Sequence, residues 1–314
     1  MDQASQTNVV EVCKAAGDPL RLDILRVLSK DSFGVQELAH ILSVPQPLMS
    51  HHLKILSKSG LLVTRRQGNS IFYRRALLKD AFQGSLYQTI DHSPLKDPQA
   101  KKIEAVHKER SQQSRHYFEK NVDRFEENQG LLCEISQYLP NLKELLDLMR
   151  LPKEARIMEV GPGQGVLLEE LAKRYQNIVA LDKSEGMLAL TRENVKGKKI
   201  EYVNESLESY KLAGKAFDAI VLNMVLHHMA SPERAFQKLG SLTKGYVLIA
   251  DLCLHDQEWT RDSCGDIWLG FDPNEMTDWA RDSGFVEKHH SYLGLKNGFQ
   301  IQLKLFCKEE NNHG

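Results

Sequence analysis

The sequence RIMEVGPGQGVLLEELAKRY, residues 156–175, joins a short apolar run to a glycine-rich loop and then to a segment with helical spacing of leucines. Apolar, β-rich runs recur along the rest of the chain, as NIVALD, IEYVN, FDAIVLN and GYVLIAD. Helical patterns separate these runs, and strands that alternate with helices of about 10–15 residues form βαβ units. The second half of the chain is therefore expected to be an α/β domain built on a parallel sheet.

The glycine-rich loop has the pattern E-x-G-x-G-x-G, in which Glu159 precedes Gly161, Gly163 and Gly165. Dinucleotide-binding folds carry G-x-G-x-x-G instead, and a pyrophosphate is disfavoured beside a carboxylate. Glycines let a ligand approach the backbone closely and aim a helix N-terminus at it. Asp182 ends the next strand, where a carboxylate can hold both hydroxyls of a ribose. A ligand with a ribose, a sulfonium and an amino group fits this pattern.

These motifs together resemble the class I S-adenosylmethionine-dependent methyltransferases, over about residues 117–307. The resemblance implies a Rossmann-like domain with a mostly parallel seven-stranded sheet and S-adenosylmethionine as its cofactor. The stretch IWLGF at 267–271 is similar to the small-molecule branch related to quinone biosynthesis. The resemblance implies that Glu205 and Ser206 contact the adenine, that Asn223 belongs to a substrate-side loop, and that Tyr117 belongs to an aromatic lid. The full set of implied cofactor-binding residues is Glu159, Gly161, Gly163, Gly165, Asp182, Lys183, Glu205, Ser206, Asn223 and Tyr117.

Two adjacent histidines, His227 and His228, are the candidate catalytic residues, and Asp266 is a weaker candidate. Methyl transfer from a sulfonium needs in-line proximity above all, sometimes with a general base. Adjacent helical residues point about 100° apart, so we expect one histidine to face the pocket and the other to pack. The competing hypothesis is that both histidines only shape the cofactor pocket.

The identity of the methyl acceptor stays open at this stage. DNA amino-methyltransferases carry an Asn/Asp-Pro-Pro-aromatic motif and the C5 type carries Pro-Cys, whereas this chain has LNMV at 222–225. An arsenite methyltransferase needs convergent thiols, and Cys133, Cys253 and Cys264 show no supporting spacing. A small-molecule acceptor is favoured. A domain that senses its cofactor without turnover, or an enzyme that only regulates its own gene, are the alternatives.

The N-terminal part of the chain differs from the rest in charge. Residues 1–80 carry 11 basic and 7 acidic residues, a formal charge of +4, within a chain whose net charge is −1. Residues 38–79 contain seven basic residues and no carboxylate. A basic segment in an otherwise acidic chain favours a polyanion as the partner of that segment alone.

The N-terminal sequence pattern predicts a winged helix-turn-helix. Two short amphipathic helices precede a third helix over 46–59, which ends before Gly60, and a hairpin over 61–75 follows. Winding the third helix places Leu48 and His52 on its apolar arc, so His52 is expected to pack rather than bind a ligand. The other arc suits a major groove, and arginines flank the hairpin turn. The candidate DNA-binding residues are Gln46, Ser50, His51, Lys54, Arg65 and Arg66.

The segments SHHLKILSKSGLL and RRQGNSIFYR resemble the ArsR/SmtB family of winged-helix repressors, within a match of about 80 residues. The resemblance implies operator DNA as a partner and a homodimer joined through helices near 8–16 and 77–90. The helix VQELAHIL lacks the cysteine pair of the arsenic-sensing branch. The segment near Asp91 and His92 lacks the Asp-x-His…His spacing of the zinc-sensing branch. No metal ligands are therefore predicted.

The 314 residues suggest two domains. We predict a winged-helix domain over 1–90, a linker and solvated connecting helix over 91–115, and a methyltransferase domain over 116–314. Five scattered cysteines and the absence of a signal peptide or a bilayer-spanning apolar stretch predict a cytoplasmic protein without a membrane partner. The predicted function is transcriptional regulation, with a domain that methylates a small molecule, senses cofactor, or both.

Overall fold

The computed structural model of the chain describes residues 3–68, 70–76, 80–197 and 199–309, and the side chains from residue 9 onward. The chain divides into two compact units, Met1–Glu109 and Arg110–Gly314. The division falls inside one continuous helix, Asp97–Lys120. Residues 77–79, at the start of the predicted second dimerisation helix, and Asn69, in the predicted hairpin turn, lie outside the described residues.

The N-terminal unit is a helix-turn-helix followed by a β-hairpin, as the sequence predicted. Its elements, in chain order, are α1 Gln3–Ala16, α2 Pro19–Val27, β1 Phe33–Gly34, α3 Val35–Leu42, α4 Gln46–Lys58, β2 Leu62–Gln67, β3 Ser70–Arg75, α5 Ala81–Asp91 and the first part of α6 Asp97–Lys120. The three strands form an antiparallel sheet in the order β1-β3-β2. Helix α4 ends where predicted, because Gly60 follows it with a φ of +76°.

The core of this unit comes from the apolar stripes of its helices. Met49, Leu53 and Leu56 of α4 are fully buried, whereas Leu48, which the helical winding placed on the same arc, is 43% exposed. Leu48 lies in the first turn of α4. The prediction for Leu48 was therefore wrong, and the buried stripe is narrower than the sequence pattern indicated.

The connecting helix α6 is not simply solvated, which corrects the sequence expectation. Ile103 and Val106 are buried in the core of the N-terminal unit. His107 is buried as well; its Nε2 contacts the Asp31 carboxylate and its ring stacks on Phe33. This packing is explained by an apolar face whose residues recur every three to four positions. The sequence analysis missed this face because many charged residues surround it in the sequence.

The C-terminal unit is a three-layer α/β domain. After the last part of α6, its elements are α7 Phe125–Leu132, α8 Leu139–Leu148, β4 Arg156–Val160, α9 Val166–Arg174, β5 Asn177–Asp182, α10 Glu185–Asn194, β6 Ile200–Asn204, β7 Phe217–Asn223, α11 Pro232–Leu242, β8 Thr243–Leu252, α12 Trp259–Cys264, α13 Pro273–Asp282, β9 Phe285–Gly294 and β10 Gln300–Lys308.

The seven strands of this unit form one sheet in the order β6-β5-β4-β7-β8-β10-β9. Strands β4 to β8 are parallel, and β10 runs antiparallel between β8 and β9. The predicted mostly parallel seven-stranded sheet is therefore confirmed. The strand order reverses between β4 and β7, and ligands of such sheets bind beyond the carboxyl ends of the strands at that point.

No helix within the described part of the chain is long and apolar enough to cross a membrane.

Candidate cofactor pocket and DNA-binding surface

A pocket lies at the carboxyl ends of the parallel strands of the C-terminal unit. Gly161 and Gly163 after β4, Asp182 and Lys183 at the end of β5, and the segment 205–208 after β6 form one side of it. The rest of its wall is mostly apolar and consists of Ser111, Phe118, Phe125, Gln129, Val160, Leu181, Met187, Met224, Val225, His228, Met229 and Ala230.

The three glycines of the loop after β4 have different surroundings. Gly161 adopts a φ of +64°, and a Cβ there would lie 2.6 Å from Cγ2 of Val225. Gly165 caps α9 with a φ of +86°, and its Cβ would lie 2.4 Å from Cγ2 of Val195. Gly161 therefore keeps the pocket floor open, whereas Gly165, which is not part of the wall, lets α9 pack closely.

Glu159 is enclosed beneath this loop. Its side chain is 1% exposed, and its Oε2 has no hydrogen-bond partner among the residues that the structure describes. Burial raises the pKa of the Glu159 carboxyl well above its usual range. A buried carboxyl oxygen without a partner is costly, and a cationic group of a ligand would relieve that cost. Glu159 itself is not among the residues that line the pocket, although the next two residues, Val160 and Gly161, are.

Asp182 and Lys183 follow β5 at the pocket wall. The backbone N–H of Ser184 donates to Oδ1 of Asp182 at 2.8 Å, and burial raises the pKa of Asp182 to about 6. Lys183 donates from Nζ to Oγ of Ser114 at 3.0 Å, and burial lowers the pKa of the Lys183 amine. Asp182 therefore offers a hydrogen-bond acceptor at the pocket wall, next to the Lys183 amine, which is fixed by its hydrogen bond to Ser114. Glu205 and Ser206 line the same pocket.

Four predicted cofactor residues are not among the residues that line the pocket: Glu159, Gly165, Tyr117 and Asn223. The Tyr117 hydroxyl donates to the Ser263 carbonyl and accepts from Nδ2 of Asn128 at 2.9 Å. Asn223 accepts through Oδ1 from the Tyr138 hydroxyl at 3.0 Å. Asn223 lines an adjacent cavity that shares Gly161, Gly163, Phe125, Gln129 and Met224 with the pocket.

The aromatic residue that closes the pocket is Phe118, the neighbour of Tyr117. Its ring lies 6.1 Å from that of Phe125, which the sequence did not single out. In a helix, neighbouring residues point about 100° apart, so only one of two adjacent aromatics can face the pocket. The resemblance implied an aromatic lid region at Tyr117 and Phe118, and of these two residues Phe118 lines the pocket, together with Phe125.

The two histidines after β7 take different positions. His227 is fully buried, and its Nδ1 lies 2.7 Å from Oδ1 of Asp251. Its Nε2 lies 3.6 Å from Oδ1 of Asp266. Burial lowers the pKa of His227, but the two carboxylates outweigh burial and raise that pKa to about 9. His227 therefore carries a proton at neutral pH and does not reach the pocket.

His228 is the histidine that lines the pocket. Its Nδ1 donates to the Gly265 carbonyl at 3.0 Å, and its ring stands edge-on to Phe118 at 4.8 Å. Burial and the charge on His227 hold the pKa of His228 well below its usual range. His228 is thus a neutral ring that offers the Nε2 lone pair.

Asp251 is a site residue that the sequence analysis missed. It ends β8 and accepts hydrogen bonds at Oδ1 from His227 and at Oδ2 from the Leu226 N–H, the latter at 2.9 Å. The sequence did contain a sign of this role. Asp251 is a carboxylate inside the apolar run YVLIADL, and a charge buried there is costly unless it has a partner.

The cysteines that an arsenite site would need are protonated thiols. Burial raises the pKa of Cys133 and Cys264 to about 12 and that of Cys253 to about 11. The thiolate is the form of cysteine that binds metals and metalloids. The raised pKa values of these three cysteines therefore disfavour thiolate chemistry in the C-terminal unit.

The predicted recognition face of α4 is open to solvent. Gln46, Ser50, His51 and Lys54 are all exposed. His52 on the opposite arc is 9% exposed, and its Nδ1 lies 3.5 Å from Nη1 of Arg21, which fits the predicted packing role.

The two predicted wing arginines differ. Arg66 is exposed and donates from Nε to the Gly68 carbonyl at 3.1 Å, next to the hairpin turn. Arg65 is only 7% exposed. Successive residues of a strand point to opposite faces, so the pair cannot both face a duplex. The expectation that Arg65 contacts DNA is not supported by its burial, whereas Arg66 is available.

Comparisons with known proteins give the same division. Residues 18–63 match the family of bacterial regulatory proteins of the arsR type, and residues 158–246 match a methyltransferase domain family. An uncharacterized HTH-type transcriptional regulator of Methanocaldococcus jannaschii is 45% identical over 64 residues, which is 20% of this chain and 72% of that protein.

The C-terminal unit has relatives of its own. A ubiquinone biosynthesis O-methyltransferase of Cronobacter sakazakii is 25% identical over 168 residues, covering 46% of this chain and 69% of that protein. The structure of magnesium protoporphyrin IX methyltransferase from Synechocystis PCC 6803, with bound S-adenosylhomocysteine, has a TM-score of 0.52 at 13% identity. That likeness covers 64% of this chain and all of the other, and it shows the fold alone.

Proposed function

This chain belongs to the arsR family of bacterial regulatory proteins and carries an S-adenosylmethionine-dependent methyltransferase domain, and from that premise we propose that it is an operator-binding regulator whose C-terminal unit binds S-adenosylmethionine. The observation that carries the cofactor proposal is the buried, unpartnered carboxyl of Glu159 beneath the glycine loop. A ligand with a cationic amino-acid end fits beside it, whereas a pyrophosphate does not.

The pocket residues fit the rest of this cofactor. Asp182, Glu205 and Ser206 all line the pocket, which supports Asp182 as the acceptor for the ribose hydroxyls and the other two as contacts to the adenine edge. Gly161 and Gly163 leave room for the ligand beside the backbone. When bound, the cofactor supplies an electrophilic methyl group, and the chain's part is to position an acceptor and exclude water.

The acceptor side of the pocket favours a small molecule. Phe118, Met229 and Ala230 form an apolar wall, and His228 is the polar side chain in it. Such a pocket has the composition of small-molecule sites, which are mostly apolar with few polar groups. Of the two candidate catalytic residues, we place His228 at the acceptor and give His227 the role of positioning it.

The DNA-binding role rests on the exposed face of α4 and on Arg66. Polar and basic side chains on one helix face allow base-edge and phosphate contacts together. We propose a homodimer through α1 and α5, because Val10 and Phe82 on these helices are 51% and 37% exposed. A dimer would present two α4 helices to two half-sites.

A regulator whose methyltransferase domain senses cofactor is the second candidate function, and helix α6 favours it. In the N-terminal unit, Lys102 of α6 donates from Nζ to the His40 carbonyl at 2.8 Å and to Oγ of Ser43 at 2.6 Å, in the turn before α4. In the C-terminal unit, Ser111 and Phe118 of the same helix line the pocket. Cofactor and operator binding would then be coupled reciprocally.

Operator titration distinguishes sensing from simple tethering of an enzyme to DNA. The full chain is titrated onto its operator with no ligand, with S-adenosylmethionine, with S-adenosylhomocysteine, and as the Asp182→Ala variant with cofactor. A coupling of about 1–3 kcal/mol would change operator affinity roughly 5–150-fold, and the variant would lose that change. Identical affinity in all four arms would eliminate sensing and leave a tethered small-molecule methyltransferase.

A further inference from the structure

Three buried side chains converge beside the pocket, and four of their polar atoms lack partners. His227, His228 and Asp266 each offer one ligand atom, and these atoms lie within 4.8 Å of one another. Within the described part of the chain, His227 Nε2, His228 Nε2 and both carboxylate oxygens of Asp266 have no hydrogen-bond partner. His227 Nε2 and Oδ1 of Asp266 face each other at 3.6 Å, beyond hydrogen-bond distance, and buried polar atoms left in this way are costly, so the cluster points to a missing group.

The histidine rings are held in the way that metal-binding histidines usually are. Nδ1 of His227 is engaged by the Asp251 carboxylate at 2.7 Å, and Nδ1 of His228 by the Gly265 carbonyl at 3.0 Å. Ligating histidines almost always give their other ring N–H to a carboxylate or a backbone carbonyl. These contacts leave Nε2 of each ring as the nitrogen that could face an ion, and on His227 this requires loss of its proton.

The distances in the cluster suit an ion that draws its ligands together. Oδ1 of Asp266 lies 3.6 Å from His227 Nε2 and 3.9 Å from Nδ1 of His228. Ligands at about 2.0–2.2 Å from a tetrahedral Zn²⁺ lie about 3.3 Å apart. The His227–Asp266 pair needs a movement of only a few tenths of an ångström, and a rotation of the His228 ring decides which of its nitrogens would complete the set.

The charges around the cluster favour a cation. Asp251 and Asp266 are fully buried carboxylates on either side of His227, which balances them as an imidazolium when no ion is bound. Arg261 is the other cation near Asp266, and its Nη1 is occupied by the Ile267 carbonyl. A divalent ion would neutralise both carboxylates once His227 gives up its proton.

We propose that His227, His228 and Asp266 bind one divalent transition-metal ion, with Asp251 as the outer partner that orients His227. Two imidazoles and one carboxylate suit Zn²⁺, Fe²⁺ or Co²⁺ better than Mg²⁺ or Ca²⁺, which prefer oxygen ligands. Three protein ligands leave a coordination position open. Because His228 lines the pocket, an ion bound to it would lie beside the pocket, and an oxygen of the acceptor could occupy the open position. This acceptor role rests on the proposed function, whereas the metal site itself does not.

The metal site lies outside the segments in which the sequence analysis looked for metal ligands. The absence of metal ligands was predicted from the helices of the N-terminal domain, which lack the cysteine and histidine spacings of the sensing branches. The cluster joins residues 227 and 228, after β7, with residue 266, after α12. Their separation in sequence hides the set until the strands are assembled.

Cobalt titration of the full, chelator-treated chain tests the proposal without any cofactor. We expect one Co²⁺ per chain, d–d absorption of a low-coordinate site, and displacement by Zn²⁺. Asp266→Asn should reduce Co²⁺ binding at least 100-fold, and Asp251→Asn by about 10–100-fold, the usual effect of removing an outer partner. Asp262→Asn, an exposed carboxylate of α12, is the matched control and should bind Co²⁺ as the parent does.

The outcomes separate the metal site from the cofactor site. Absence of stoichiometric Co²⁺ and Zn²⁺ binding by the parent chain, or equal binding by Asp266→Asn, would overturn the metal proposal. If S-adenosylmethionine still bound in that case, the proposed function would stand. If Asp266→Asn does not fold, as judged by circular dichroism, His228→Gln replaces it, and unchanged Co²⁺ affinity in His228→Gln would equally overturn the proposal.

Discussion

The two units present their candidate sites in opposite ways. In the N-terminal unit, the candidate DNA contacts are exposed side chains on one face of a single helix, α4, and at one hairpin turn. In the C-terminal unit, the candidate groups come from the ends of several strands, and they range from fully enclosed side chains, such as Glu159 and His228, to partly buried ones, such as Asp182, and the exposed Glu205. The first kind of site can be read from helical periodicity, whereas the second depends on how distant segments assemble.

The same difference affects how charge is used. Exposed cations of the N-terminal unit would act through salt-dependent contacts with phosphates. Buried acids of the C-terminal unit, such as Glu159 and Asp182, have raised pKa values because burial disfavours the carboxylate. Binding at the two sites should therefore respond differently to substitution, pH and salt.

The largest expected effect is at the buried site. Asp182→Ala removes the candidate ribose acceptor and should weaken S-adenosylmethionine binding by about 1.5–3 kcal/mol, the usual contribution of hydrogen bonds to a charged group. Calorimetry with the full chain measures the effect. Asp147→Ala, an exposed carboxylate that pairs with Arg174, is the control and should leave cofactor affinity unchanged. Equal affinity in both variants would remove Asp182 from the site.

The exposed site should show an effect on specificity instead. Gln46→Ala removes a side chain that can form two hydrogen bonds with one base edge. Two such hydrogen bonds contribute about 1–3 kcal/mol to the preference for the correct base over a wrong one. The affinities for operator and for unrelated DNA, measured by gel-shift titration, should therefore become more similar. Ser50→Ala should cause a smaller change in the same direction. A uniform loss of affinity on both DNAs would assign Gln46 to the phosphate backbone.

Cofactor binding should weaken in acid. Asp182 has a pKa of about 6, raised by burial, and only its ionised form accepts hydrogen bonds from both ribose hydroxyls. Lowering the pH from 7 to 5 protonates it, so affinity should fall by roughly tenfold. Asp182→Asn cannot gain this proton. Its affinity for S-adenosylmethionine should therefore be weaker at pH 7 and should change less between pH 7 and 5. The same steep decline in Asp182→Asn would place the responsible group elsewhere.

The smallest expected effect concerns the adjacent wing arginines. Arg66→Ala should lower the slope of log affinity against log salt by about 1, the contribution of a single phosphate contact. Arg65→Ala should leave that slope unchanged and lower the free energy of unfolding by about 1 kcal/mol instead, because its side chain is packed. If both arginines contacted phosphates, as the sequence analysis expected, replacing both would change the slope by about 2. A slope change in Arg65→Ala would restore that prediction.

Periodicity and local motifs were sufficient to predict both architectures. The leucine spacing of α3 and α4 predicted the helix-turn-helix, and the β-rich runs predicted the parallel sheet. The glycine loop and the acid after β5 were found because they lie next to strands that are easy to recognise. Errors arose where burial depends on neighbours far away in sequence, as for Leu48 and Arg65.

The remaining site residues depend on assembly of the sheet. Asp251 meets His227 because β7 and β8 are adjacent and parallel, a pairing that no local pattern encodes. Phe125 reaches the pocket from a helix 34 residues before the glycine loop begins at Glu159. The choice between Tyr117 and Phe118 depends on the rotation of α6, which its mixed sequence does not determine.

Calorimetric titration of the full chain with S-adenosylmethionine, in parallel with NAD⁺, tests the central claim most directly. We expect saturable binding of one S-adenosylmethionine per chain and no specific heat with NAD⁺, because the glycine loop has the pattern E-x-G-x-G-x-G and not the G-x-G-x-x-G of dinucleotide-binding folds. Saturable binding of NAD⁺ together with no response to S-adenosylmethionine would contradict the claim that this pocket is a methyltransferase cofactor site.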